Sequence, residues 1–295
     1  MKNTGIDLGL GIDAIQKDKF SWRVNANFSY FQNEITDLVS PFASGFASWV
    51  EEGQELGSFR GYRVEGIFQT QEEINALNAA AVEKYGAGAT YQVALTRAGD
   101  IKFKDLNGDG RITADDQEII GSAQPDFFGG VTNEFKILDF DFSFFFQGQF
   151  GNEIYNNNRA FAEGMNSVFG QLATVRERWT PSNPSTTMPR AVFGDPNNNR
   201  RTSDRWLEDG SFVRLRNVTL GYTLPKSVTE RIKMSGLRVY VAGQNLLTFT
   251  NYSGFDPEVS TFAEGSGAVA NTAPGTDFLT FPVARTITFG INANF

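Results

Sequence analysis

The chain has 295 residues, enough for one large domain or two ordinary ones. It carries neither cysteine nor histidine, which excludes disulfide frameworks, thiolate zinc sites, thiol nucleophiles and histidine general bases. A net charge of -8 with scattered Lys and Arg argues against a nucleic-acid partner. There are 28 phenylalanines but a mean hydropathy of -0.29, because aromatics are interleaved with small polar residues, as on a wall with one apolar and one wet face.

No stretch approaches the roughly twenty apolar residues of a membrane helix, whereas a barrel strand needs an apolar residue only at alternate positions over roughly ten. The N-terminus, starting Met1 and Lys2, lacks the apolar core of a signal peptide, so the export signal of a secreted barrel would lie upstream.

Read with a period of two, the chain yields strands in order. Ile6, Leu8, Leu10 and Ile12 share one face, and after a turn at residues 16–18 so do Trp22, Val24, Ala26, Phe28 and Tyr30, a hairpin. Tyr62, Val64 and Phe68 continue the theme. Val131, Phe135 and Ile137 then run into a tight turn at Leu138 and Asp139. Beyond it Phe140, Phe142, Phe144, Phe146 and Phe150 face one way and Phe145 is the exception. Such a face is an aggregation liability in water and an outer wall in lipid. Phe212, Val218, Leu220, Tyr222 and Leu224 form the next strand, and Leu237, Val239, Val241 and Leu247 its partner. Residues 283–295 alternate almost without error and stop on Phe295.

The count is about eight strands, all-β and antiparallel. Short connections near residues 17, 138 and 230 alternate with long ones at 34–56, 69–125, 151–210 and 250–282, the asymmetry of a transmembrane β-barrel with long external loops. Within the loops, Thr70 and Glu73 form a capping box that predicts a helix over residues 71–85, with Ile74, Leu77 and Ala81 at helical spacing. Residues 156–199 predict an ordered surface loop with an amphipathic stretch near 168–179.

Within residues 99–121 lies the motif with chemistry. Asp105, Asn107, Asp109 and Asp116 occupy positions one, three, five and twelve of a calcium loop of the EF-hand or dockerin kind. Gly110 permits the sharp turn at position six. Ile112 is the apolar anchor, and the Arg111 carbonyl and Thr113 complete the oxygen set. Asp116 replaces the usual bidentate glutamate, as in dockerins. Asn-Gly and Asp-Gly turns with surface acids are the simpler alternative. No catalytic constellation emerges: Glu51 with Glu52 and Glu72 with Glu73 are merely adjacent in polar loops, so an enzyme is not expected. Trp49, Trp179 and Trp206 suit sugar stacking, an interfacial belt or packing.

Several stretches together resemble the SusC/RagA group of TonB-dependent outer-membrane transporters of Bacteroidetes. They are residues 57–68 (GSFRGYRVEGIF), 99–103 (GDIKF), 120–122 with 125–127, 145–148 with 151–156, 211–222 (SFVRLRNVTLGY), 243–246 (GQNL) and 254–258 (GFDPE). The resemblance implies a C-terminal fragment of a barrel of about twenty-two strands, with the signal peptide, plug, TonB box and earlier strands missing and Met1 an internal or artefactual start. It further implies import of glycan fragments or peptides across the outer membrane of a Gram-negative cell. The partners it implies are a SusD-like surface lipoprotein, the TonB complex acting through the missing N-terminal region, the lipid bilayer and the barrel assembly machinery. Phe289, Ile291 and Phe295 would carry the assembly signal. Open strand edges are not tolerated in lipid, so the fragment alone is expected neither to insert nor to transport.

Two other readings compete. A soluble β-sandwich glycan-binding or adhesin module with a dockerin-like calcium loop would bury Phe140, Phe142, Phe144 and Phe146 against a second sheet. A passive porin would lack a plug and would leave the family motifs unexplained.

Overall fold

The computed structural model describes residues 1–259 and 272–295; part of the connection expected over residues 250–282 lies outside the described residues. Seven long strands form one antiparallel sheet in chain order: β1 (Lys2–Lys17), β2 (Phe20–Glu34), β3 (Phe127–Ile137), β4 (Phe140–Phe150), β5 (Phe212–Thr223), β6 (Gly236–Thr250) and β7 (Thr286–Asn294). Each pairs with its neighbours in sequence, so the sheet is an up-and-down meander. The links after β1, β3 and β5 are short, the last holding a one-turn helix, Lys226–Thr229. Those after β2, β4 and β6 are long and emerge together at the other end.

Seven wall strands stand where about eight were expected, and residues 62–68 account for the difference. Val64 opens a four-residue strand, Val64–Ile67, that pairs with Ile101–Phe103 in the first long connection. Four residues reach about 13 Å, too short for an apolar layer of about 25 Å. Phe68 is fully buried beside Ile74, Tyr91, Ile101 and Phe103.

The apolar face of the wall is not covered. Ile6, Leu8 and Leu10 are about 60% exposed, Phe140 is 48% exposed, and Phe142, Phe144 and Phe146 are half-buried. Phe135 stacks on Trp22 at 5.8 Å and on Phe142 and Phe144 at 6.1 Å, a ladder of rings running across three strands. No second sheet lies against it among the described residues, which removes the sandwich reading. Phe145 faces the opposite, polar side, where its ring lies over Gly130. A Cβ at Gly130 would meet that ring at 2.4 Å, so the glycine makes room for an aromatic on the wet face.

The buried core sits in the long connections. One cluster joins Ala47, Phe59, Ile120, Tyr155, Ala160 and Trp206; the other holds Phe68, Ile74, Tyr91, Ile101, Phe103 and Ile112. Helix α1 (Gln71–Tyr85) forms where the capping signal places it: the Thr70 hydroxyl accepts the Glu73 amide at 3.2 Å, and Ile74 and Ala81 are buried. The Glu73 carboxylate instead reaches Lys102 at 3.2 Å, so the cap is made from one side. The stretch near residues 168–179 yields only a short 3-10 turn, Ala173–Glu177, and leaves Val168 and Phe169 exposed. At the C-terminus β7 starts at Thr286, three residues later than the alternation does, and β1 and β7 each have one edge with no strand partner among the described residues.

Candidate functional site

The polar face of the wall is set by strand alternation: with apolar residues turned outward, charged and amide side chains line the concave side. Near the short turns, Asp13 on β1 and Arg23 on β2 are cross-strand partners joined at 2.6 and 3.1 Å. Glu134 lies opposite Arg23 on β3. Further across the same face, Arg238 of β6 donates to Asp141 of β4 at 2.8 Å. These pairs are well solvated and contribute little stability; their consequence is a surface of alternating sign.

Toward the long connections the wall carries a different construction. Between Leu215 and Asn217 the register of β5 against β6 slips, leaving Arg216 on a bulge while Asn245 opposite adopts a left-handed backbone, φ 53°. Arg216 donates to Gln147 at 2.7 Å, to Asn245 at 3.1 Å and to Glu258. Arg214, 1% exposed, contacts Asp256 at 2.5 Å and Glu258 at 2.6 Å. Asp256 also accepts the Val283 amide at 3.0 Å. One ionic cluster thus pins both ends of the third long connection to the wall. Its side chains come from four stretches on which the sequence resemblance rests, residues 145–148, 211–222, 243–246 and 254–258.

Above it the three long connections interlock into a single unit. Strand Glu153–Asn156 pairs with Leu207–Asp209 in its own connection and with Thr276–Asp277 in the next. The first connection is tied to the second by Arg190, which forks onto the buried Asp100 at 2.8 and 2.9 Å, and by Asn197 and Asn199, which bond Gln92, Thr96, Ile101 and Asp100. Sequence reading missed this network; the Asn run at 197–199 and Asp100 after Gly99 are its only local signals. Glu208 gathers Arg159 at 2.8 Å, Asn156 at 3.0 Å and the Ser253 amide at 2.8 Å. Burial pushes its carboxyl up, but the bonds from Arg159 and Ser253 outweigh that and hold it below the ordinary value. Glu153, with one amide bond from Ser122, is pushed up by burial.

The calcium-type residues fall in one closed loop. Asp105 accepts the amides of Gly108, Asp109 and Gly110 at 2.7–3.2 Å, Asn107 that of Asp109, and Asp109 that of Arg111. Asp116 is fully buried and accepts Leu106 and Thr113. Gly110 takes φ 87°, the turn required of position six, and Ile112 packs into the second core cluster. The donor types suit a hard cation. In this geometry their oxygens face the loop's own amides, and no three acidic side chains converge on a common point among the described residues.

The three loop tryptophans pack. Trp206 is buried and donates to the Arg201 carbonyl, Trp179 donates to Gln69, and Arg60 lies over Trp49 at 4.3 Å. Phe289 and Ile291 are on the outward face of β7, 81% and 70% exposed, and Phe295, one residue beyond the strand, is 91% exposed.

No family model matches the chain. Over its full length it is 32% identical to TonB-dependent receptor P3 of Formosa agariphila, covering 29% of that protein, and 27% identical to TonB-dependent receptor SusC of Bacteroides thetaiotaomicron, covering 26%. Its fold matches the structure of the RagAB peptide transporter with a TM-score of 0.75 at 24% identity, over 99% of this chain and 29% of that one. The chain therefore spans less than a third of the relatives it matches. With the bare apolar wall, the charged concave face and the interlocked connections, these matches identify it as a SusC/RagA-like, C-terminal barrel portion of a TonB-dependent receptor.

Proposed function

We propose that this chain forms part of the wall and the external loop unit of an outer-membrane, TonB-dependent importer of nutrients, with glycan fragments or peptides as cargo. The carrying observation is the division of the wall into a lipid-ready face, centred on the Phe135 ladder, and a charged concave face with packed connections at one end only. The open edges of β1 and β7 would pair with further strands of the same barrel, since unpaired backbone is costly in lipid. On this reading the loop unit meets a SusD-like surface lipoprotein, energy comes from the TonB complex through a region outside this chain, and Phe289, Ile291 and Phe295 face the barrel assembly machinery. The chain is read as a binding and conducting element rather than an enzyme. Calcium at Asp105, Asn107, Asp109 and Asp116, with the Arg111 carbonyl and Thr113, is proposed as a brace for the first connection, supported by the ligand spacing and the Gly110 turn.

The test is uptake of labelled oligosaccharides and oligopeptides by cells carrying the full-length receptor, with and without TonB. Uptake of either that disappears without TonB supports the reading. Uptake of neither, or uptake independent of TonB, overturns it.

A further inference from the structure

A cavity of about 520 Å³ opens in the loop unit between helix α2 (Asn157–Ala162) and the start of the third connection. That volume is in the range of small-ligand sites. Its apolar lining is Ala162, Leu172 and Phe255. Phe255 is 84% exposed, and the next residue, Asp256, is held to Arg214 at 2.5 Å.

Most polar groups around the cavity already hold partners. Arg159 engages Glu163 at 3.2 Å, Glu208 at 2.8 Å and the Arg205 carbonyl at 3.4 Å. Glu163 also accepts from Thr174 at 2.8 Å, and the Asn158 side-chain oxygen accepts the Leu279 amide at 2.8 Å. Asn156 bonds Glu208 through its amide nitrogen and caps α2 through its oxygen, while Ser253 donates to Glu208. Charge is balanced internally, so an ionic ligand gains nothing here. A sugar ring would have to bury hydroxyls beside groups that already hold partners, and each hydroxyl left unpaired weakens binding. An aromatic or branched aliphatic side chain asks for no such bonds and would close the Phe255 and Leu172 faces from water.

We infer that this cavity holds an apolar side chain of a peptide cargo, which makes it a specificity subsite for peptides rather than glycans. The inference rests on the importer reading above and narrows its cargo.

The experiment is isothermal titration of the full-length receptor, purified in detergent and freed of any partner lipoprotein. The probes are acetyl-Ala-Phe-Ala-amide, acetyl-Ala-Ser-Ala-amide and maltotriose. The phenylalanine peptide is expected to bind at least about tenfold more tightly than the other two, and both Phe255→Ser and Ala162→Trp, the second filling the cavity, to weaken it about tenfold. Heat-modifiable migration of both variants checks that they fold. Equal binding of maltotriose, or unchanged affinity of the phenylalanine peptide in both folded variants, overturns the subsite. So does a Phe255→Ser receptor that keeps its peptide affinity but no longer co-purifies with a surface lipoprotein, which would make the cavity that partner's. TonB-dependent uptake by the wild type in the same cells separates the two claims: uptake with no cavity effect sinks only the subsite, and no uptake sinks the importer reading.

Discussion

Arg214 and Asp256 meet at 2.5 Å with 1% and 5% of their side chains exposed, one on a wall strand and the other in the connection above it. Both have left water, so the pair stands only while each partner compensates the other. Removing Asp256 leaves the buried Arg214 with only the more exposed Glu258 carboxylate, and removing Arg214 leaves Asp256 buried without its cation. Asp256→Ala should therefore destabilise the receptor by about 3–5 kcal/mol, and Arg214→Met combined with Asp256→Leu should recover most of that. Chemical-denaturation midpoints of the detergent-solubilised full-length variants would show it. A double variant no more stable than the single one would assign the loss to packing instead.

This pair also marks where the sequence stops being legible. Wall faces, short turns and α1 were readable because periods of two and 3.6 are local properties, and Phe140, Phe142 and Phe144 share a face whatever else the chain does. Arg214 and Asp256 are 42 residues apart and Asp100 and Arg190 are 90 apart, so nothing in either neighbourhood announces the other. The motifs containing Arg214, Asn245 and Glu258 were visible as motifs, but not as one cluster. Phe68 failed differently: its alternation is that of a strand, and alternation over four residues does not say whether a strand crosses a membrane or folds back onto a helix. Phe145 looked like an error in the pattern until Gly130, on the neighbouring strand, supplied the space for its ring.

The carboxyl of Glu208 is held below its ordinary value, so acid should loosen the loop unit. A depressed folded pKa gives stability that is fully present above the ordinary glutamate value of 4.5 and lost as pH falls through the folded one. Hydrogen exchange of residues 153–159 and 207–209 should rise below about pH 4. In Glu208→Gln the baseline at neutral pH should already be raised and the acid step in these segments reduced. An acid step of the same size in that variant would assign it to other carboxylates.

Gly130 leaves the space that the Phe145 ring occupies on the polar face. Gly130→Val places a side chain where the ring now sits, at a point where even a Cβ would be 2.4 Å from it. Overpacking of this kind costs about 1–3 kcal/mol, enough to reduce the amount of full-length receptor recovered in outer-membrane fractions. Phe145→Ala in the same chain should restore it. If the double variant assembles no better than Gly130→Val alone, the collision is not the cause.

The acidic loop carries the ligand spacing of a calcium site at Asp105, Asn107, Asp109 and Asp116. Titration of the full-length receptor with calcium should give a binding isotherm at millimolar concentration or tighter that Asp105→Ala and Asp109→Ala abolish, while Asp115→Ala, outside the ligand positions, leaves it intact. Binding should protect residues 104–117 from protease. An absence of heat at millimolar calcium would reduce the loop to a pair of glycine turns closed by Asp105 and Asp116.

Phe295 is 91% exposed one residue beyond β7, whose Phe289 and Ile291 are on the lipid-ready side. An aromatic side chain held in water has no packing reason to be there. In lipid, or on a protein that threads strands into lipid, it does. A charge on the lipid face is penalised by about 2–4 kcal/mol at mid-depth and by little near the interface, so the three positions should respond unequally. Phe289→Lys should impair insertion through the bilayer cost itself. Phe295→Lys, at the strand end, should impair assembly only if the residue is read by assembly machinery. Pulse-labelled full-length receptor would be followed into heat-modifiable form in the outer membrane. Slowed conversion of Phe295→Lys at unchanged synthesis is the expected result, and wild-type conversion would leave Phe295 as a lipid contact alone.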